Sequence, residues 1–150
     1  MDITSILPPG HIEIHSERRD KPNLLRHMAE VVASSAGTTP DTLATALLKR
    51  EELGSTGVGR GVAIPHARLP GIARPLAALA MLDRPIDFDA IDERPVDIVL
   101  LLVMPDNDSA LSALSAVSRL LRQEEVARAL RQARSPVEVL TLLTHGGRTG

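Results

Sequence analysis

Two stretches of the chain are apolar almost without interruption: Leu76 to Leu82, and Val96 to Met104 with only Asp97 intervening. A strand with one wet face alternates apolar and polar residues. A strand that is apolar throughout is buried on both faces, which requires a sheet covered by helices on each side. Both runs are far shorter than the roughly 20 residues that span a bilayer, so they read as core strands and no membrane insertion is expected. The polar, proline-flanked segment Ile86 to Asp92 connects them.

The flanking sequence supplies the helices. Lys21 to Ala36 carries Leu24, Leu25, Met28, Val31 and Val32 at helical intervals, with Pro22 in the first turn and Gly37 as the stop. Thr39-Pro40-Asp41 opens a second helix that runs to about Glu52. From Asp108 a stripe of Leu111, Leu114, Val117, Leu120 and Leu121 predicts a third helix, with Asp106 and Asp108 available as N-caps. Val126 to Ala133 and Pro136 to Leu143 read as two more. A short strand is expected at Ile12-Glu13-Ile14, after the turn signal Pro8-Pro9-Gly10. The result is an α/β fold: a single compact domain over 1–145 with a mixed β-sheet flanked by helices, and a flexible C-terminal tail at 146–150.

Composition narrows the function classes. The chain has one phenylalanine and no tyrosine or tryptophan, so aromatic platforms for stacking bases or sugars are missing. Seventeen Lys and Arg against nineteen Asp and Glu leave a formal net charge of −2, which argues against a nucleic-acid binder. The absence of cysteine excludes a disulfide framework, a thiolate metal site and a cysteine nucleophile together. Met1-Asp2-Ile3-Thr4 has no basic region followed by an apolar run, so no signal peptide is read and a cytoplasmic location is expected.

Histidines are the conspicuous chemical groups. His11 and His15 flank a strand-like Ile-Glu-Ile, where four residues span about 13 Å, too far to share one ion. No metal site and no cofactor are expected. His27, beside a helix stripe, and His145, in the tail, read as ordinary surface or half-buried residues.

His66 differs in its surroundings. It follows Pro65 and the apolar Val62-Ala63-Ile64, which places it at a strand end on a restricted backbone. Upstream lies Gly54-Ser55-Thr56-Gly57-Val58-Gly59-Arg60-Gly61. Such glycines let backbone N–H groups converge on an anion, Ser55 and Thr56 add hydroxyl donors, and Arg50, Arg60 and Arg68 supply positive charge. An imidazole in that setting is equipped to carry a phosphoryl group, being largely neutral and nucleophilic near pH 7. The same residues also suit a plainer arrangement, in which the glycines shape a tight loop and His66 ends a strand. The dinucleotide, P-loop and serine-elbow patterns are missing. Asp87, Asp89, Asp92 and Glu93 read as turn formers and solvated charges.

The whole run from Arg50 through Gly54-Ser55-Thr56-Gly57-Val58-Gly59 to Ile64-Pro65-His66-Ala67-Arg68 resembles the signature of the phosphotransferase system (PTS) IIA component. The likeness is to the fructose/mannitol class, in its nitrogen-regulatory branch. Pro85-Ile86-Asp87-Phe88, Pro95-Val96-Asp97 and Ser118-Arg119-Leu120-Leu121 extend it over nearly the whole chain. The resemblance implies that His66 is a phosphorylated histidine, charged by a small HPr-like phosphocarrier protein. It places Arg50 near that site and Ser55, Thr56, Gly57, Val58 and Gly59 in the phosphate-binding loop beneath it. In sugar-specific members the group passes to a IIB domain; regulatory members instead control a kinase, transporter or other protein by phosphorylation state.

One departure stands out. The family commonly has a second histidine in a His-Leu-x-x-Leu pattern after the long apolar strand, and this sequence reads Ala110-Leu111-Ser112-Ala113-Leu114. The expectation is a phosphoryl-accepting regulator. A IIA phosphotransferase in sugar uptake and a non-phosphorylated binding module stand as alternatives. Docking partners are expected to meet a shallow apolar face around His66 that includes Val58, Val62 and Leu69.

Overall fold

The two apolar runs form the centre of the sheet. In the computed structural model, which describes residues 2–17 and 20–149 with side chains as far as 144, β5 (Leu76–Ile86) and β6 (Val96–Pro105) pair antiparallel. Leu76 lies opposite Val103 and Met81 opposite Ile98. Because side chains alternate along a strand, these two strands feed two separate cores. Leu79, Met81, Ile98, Leu100 and Leu102 belong to one. Ala78, Ala80, Val99, Leu101 and Val103 belong to the other.

Each core has its own helices. The second is closed by α1 (Lys21–Ala36) and α2 (Pro40–Glu52) through Leu24, Leu25, Met28, Leu43 and Leu47. The first is closed by α3 (Ser109–Leu121), α4 (Glu124–Gln132) and α5 (Pro136–Thr149), together with Ile3, Ile6 and Leu7 of the N-terminal turns. The six-stranded sheet runs β1-β5-β6-β3-β2, with β4 also on β6. Here β1 is Ile12–Ser16, β2 Gly57–Gly59, β3 Val62–Ala63 and β4 His66–Leu69. The β1–β5, β3–β6 and β4–β6 pairs are parallel and the β2–β3 and β5–β6 pairs antiparallel. The single α/β domain with a mixed sheet between helices is therefore as the apolar pattern implies.

Caps fix the helix starts. The Asp20 carboxylate accepts from Asn23 N–H and the Thr39 hydroxyl from Thr42 N–H, and Gly37 ends α1 at φ 79°. At α3 the expectation needs correcting: Asp108 has helical dihedrals and makes no side-chain cap. Asn107 takes that role, its Oδ1 accepting from Ser109 N–H at 2.9 Å. β5 continues beyond Leu82 to Ile86, which pairs with Val96 after a shift of register. α5 continues past Leu143 to Thr149. The tail expected at 146–150 falls on Gly150 and on side chains that lie outside the described residues, as does the His145 side chain. Among the described residues no helix is long and apolar enough to cross a membrane.

Candidate functional site

The glycine-rich run folds as a β-hairpin. β2 and β3 flank the two-residue turn Arg60-Gly61, whose φ values of 59° and 82° are both positive. Two left-handed residues in a row match the right-handed twist of the strands, and glycine supplies one of them without strain. The expected nest of free amides is thus corrected. Thr56 N–H donates to Glu51 Oε1 at 3.1 Å, Gly57 N–H to Ser55 Oγ at 3.0 Å, and Arg60 N–H to Asp92 Oδ2 at 2.9 Å.

The hydroxyls are engaged as well. Ser55 donates to the Phe88 carbonyl at 2.5 Å, and Thr56 donates to Glu51 Oε2. These bonds fasten the loop to the end of α2 and to the segment after β5. Gly57 sits so close to that segment that a Cβ on it would lie 2.7 Å from the Ala90 Cβ.

Glu51, Lys21 and Phe88 are the residues sequence reasoning missed. Glu51 is 9% exposed, and its carboxylate pairs with the Lys21 ammonium at 2.8 Å. That ammonium also donates to the Phe88 carbonyl at 3.3 Å and lies 4.6 Å from the centroid of the Phe88 ring. A buried carboxylate needs such partners to remain charged. The signal for Phe88 was present in its being the sole aromatic; a glutamate near a helix end carries none.

β3 leads through Ile64 and Pro65 to His66, the first residue of β4. β4 lies parallel to β6 with His66 opposite Leu102, and Ala67 faces the second core, so His66 and Arg68 face the α3 side. The imidazole is half-buried, and its Nδ1 lies 2.8 Å from the Ile64 carbonyl oxygen. A carbonyl only accepts, so Nδ1 carries the proton and Nε2 presents its lone pair. Burial holds the His66 pKa below its ordinary value; the charge of Arg50 acts the same way, while the Ile64 hydrogen bond and Glu51 pull it upward.

The three arginines separate. Arg50, in the last turn of α2, donates to the Gly54 carbonyl at 2.8 Å and is near enough to His66 to affect its charge. Arg68 lies two residues beyond His66 on the same face and donates to the Asn107 carbonyl at 3.1 Å. Arg60 does not belong to the site: the hairpin turn carries it away along β6, where it pairs with Glu124 at 3.2 Å.

The apolar face also needs correction. Val58 is 59% exposed, but Val62 is 2% exposed in the first core and Leu69 packs against the second. Leu53, just after α2, and Leu111, in the first turn of α3, are the strongly exposed leucines instead. Ala110 is 2% exposed and packs in the first core. The carboxylates of the β5–β6 connection behave as turn formers: Asp87 accepts from Asp89 N–H, and Asp92 from Arg94 N–H.

The other histidines have separate partners. His11 Nδ1 lies 3.1 Å from the Ala77 carbonyl, His15 meets Asp83 at 2.8 Å, and His27 meets Glu13. Among the described residues no group of three metal-ligating side chains gathers.

A single α/β domain with a mixed six-stranded sheet between helices is the fold of solved phosphotransferase IIA proteins. The chain belongs to the family described as phosphoenolpyruvate-dependent sugar phosphotransferase system, EIIA 2, whose model matches residues 5–146. It is 39% identical over 145 residues to the nitrogen regulatory protein of Bradyrhizobium diazoefficiens, covering 95% of each chain. The crystal structure of the nitrogen regulatory protein IIA-Ntr from Neisseria meningitidis superposes with a TM-score of 0.89 at 32% identity, over 95% of this chain and 99% of that one. The fructose-specific EIIABC component of Bacillus subtilis is 32% identical over 147 residues, 95% of this chain but 23% of that longer protein.

Proposed function

We propose that this chain is a regulatory IIA protein that accepts a phosphoryl group on His66 Nε2 from an HPr-like phosphocarrier and controls partner proteins by its phosphorylation state. The observation that carries the reading is the 2.8 Å contact between His66 Nδ1 and the Ile64 carbonyl, which leaves Nε2 as the nucleophile. The likeness to nitrogen regulatory proteins supports the regulatory part.

In the transfer, the Nε2 lone pair forms the new N–P bond as the donor's bond to phosphorus breaks, its electron pair returning to the donor group. The proton stays on Nδ1, donated to the Ile64 carbonyl, so the phosphorylated ring is an imidazolium that offsets part of the added charge. The Arg50 guanidinium steadies the phosphoryl oxygens as charge builds on them. The loop Ser55, Thr56, Gly57, Val58 and Gly59 forms the floor of the phosphate site; its internal bonds keep it rigid. A phosphoryl group adds up to about two negative charges beside Arg50 and Arg68, which changes which partner surfaces fit. A kinase or transporter that docks on the uncharged face would then be released.

The test is intact-protein mass spectrometry at mildly alkaline pH, with phosphoenolpyruvate, the general phosphotransferase enzyme and a phosphocarrier. One phosphoryl group on the wild type and none on His66→Ala is expected. No gain, in a mixture that labels a competent IIA control, overturns the reading in favour of a binding module without phosphoryl chemistry.

A second reading is a IIA phosphotransferase that hands its group to a IIB domain in sugar uptake, favoured by the likeness to the fructose-specific component. Against it stands Ala110, which puts a methyl group where that chemistry would have a second imidazole.

A further inference from the structure

A cleft of about 890 Å³ opens at the far end of β6 from His66. One wall is the hairpin tip at Arg60 and Gly61. A second is formed where Pro85 and Pro95 mark the facing ends of β5 and β6, and a third is the corner between α3 and α4. His66 pairs with Leu102, whereas Gly61 accepts from the amide of Asp97. Five residues of β6 separate the two places, about 16 Å at the usual strand rise.

The cleft concentrates positive charge in a chain whose net charge is −2. Arg60, Arg94, Arg122, Arg128 and Arg131 line it, against Asp97 and Glu124. Two of the five are neutralised. Arg131 forks onto Asp97, with Nε and Nη2 at 2.9 to 3.1 Å from the carboxylate, and also donates to the Arg60 carbonyl at 2.8 Å. Arg60 pairs with Glu124 across the opening between hairpin and α4. The guanidinium groups of Arg94, Arg122 and Arg128 make no ion pair with any described residue.

Among the described residues Arg122 and Arg128 have no acidic partner, and Arg94 shares the nearby charge of Asp92; gathered around one concavity, these guanidinium groups raise the local potential for anions. Their planar forks suit phosphate oxygens, which they hold in pairs of hydrogen bonds. α4 starts at the rim, but Glu124 and Glu125 in its first turn offset the positive end of that helix, so the field comes from the guanidinium groups. Val58 is exposed at the cleft, while Val62, Leu121 and Ala127 are core residues buried beneath it.

We propose that this cleft binds a small ligand carrying two linked phosphate groups, of the nucleoside diphosphate class. Linked phosphates carry about the charge that three guanidinium groups match. A cleft of about 890 Å³ with Val58 exposed on its wall suits a small molecule with a carbon face. The site is independent of phosphorylation at His66.

Isothermal titration calorimetry at physiological salt tests it with inorganic pyrophosphate and ADP in separate arms, and with orthophosphate as a one-phosphate comparison. Saturable one-site binding of pyrophosphate or ADP is expected, with orthophosphate at least tenfold weaker. Tighter binding of ADP than of pyrophosphate assigns a role to the nucleoside; equal binding assigns the site to the phosphates alone. Arg94→Gln combined with Arg128→Gln, both exposed and free of structural bonds, is expected to weaken binding at least tenfold with an unchanged unfolding temperature. Amide shifts of Gly59 and Gly61 in two-dimensional NMR should move on titration. Absence of saturable binding overturns the proposal. So does unaltered affinity in the double variant, loss of binding in His66→Ala, or equal affinity for a decaglutamate peptide, which would make the cleft a protein-docking surface.

Discussion

Thr56 gives both its amide and its hydroxyl to the two carboxylate oxygens of Glu51, five residues earlier. This clasp closes the chain where α2 leaves off, and it sets the start of the hairpin that leads to His66. Glu51 is held in turn by Lys21, and both side chains are largely out of solvent, at 4% and 14% exposure.

Removing the charge of Glu51 leaves the largely buried Lys21 ammonium, among the described residues, with only the exposed Asp89 carboxylate at 4.0 Å. Glu51→Gln is expected to lower unfolding free energy by about 3 kcal/mol, read from urea denaturation. Adding Lys21→Met should recover part of that loss, since the two residues share one interaction.

The pH dependence of His66 follows from its depressed pKa, of which burial is the main cause. Below pH 6.5 the unfolded chain's imidazole takes up a proton that the folded one resists. The stability His66 contributes is therefore complete above pH 6.5 and is lost as pH falls through the folded pKa. Phosphoryl acceptance, which needs the neutral ring, should show its acid midpoint below 6.5 in rate measurements. Stability of His66→Asn should decline less than that of the wild type between pH 7 and pH 5.

Arg50 combines one exposed hydrogen bond with a long electrostatic reach. Arg50→Ala should slow phosphoryl acceptance by about 10²- to 10³-fold, as loss of a donor to a developing oxyanion does. Stability should fall by only about 1 kcal/mol. The His66 pKa should rise, because a neighbouring cation has gone. Quenched-flow labelling and an NMR titration separate these effects.

Gly57 has no room for a side chain. Gly57→Ala places its Cβ 2.7 Å from the Ala90 Cβ and 3.0 Å from its Cα. The hairpin and the segment after β5 must then part, and a loss of about 1 to 3 kcal/mol is expected from thermal unfolding.

Ala110 bears on the onward passage of the phosphoryl group. The phosphorylated protein should pass its group to an isolated IIB domain far more slowly than a sugar-specific IIA does, in a stopped assay with a labelled phosphoryl group. Transfer at the control rate would favour the uptake reading.

The parts of the fold that could be read from sequence are those where the side-chain period is long enough to register. β5 and β6 announce themselves by apolar length, and α1 and α2 by a stripe plus Asp20, Thr39 and Gly37 at their ends. β2, β3 and β4 have three, two and four residues, and glycines erase what alternation β2 has. The Arg60-Gly61 turn was hidden because arginine seldom adopts a positive φ. His66 and Arg50 could be found from local spacing, but the destination of each loop amide could not. Those bonds run to Glu51, Ser55 and Asp92, and Asp92 reaches the hairpin only because the sheet brings β5's trailing segment alongside it.

β6 is the strand on which β3, β4 and β5 all rest, and it comes after His66 in the chain. During synthesis His66 therefore leaves the ribosome before the residues that seat it. Until Ile98 to Pro105 have emerged and paired, the imidazole has a neighbouring peptide but no sheet. On the proposed function, competence for phosphoryl transfer would be a late event in the life of a nascent chain, reached only when a long-range, slow class of contact has closed. A truncated or stalled product ending before β6 would display the signature residues and still be silent to the phosphocarrier.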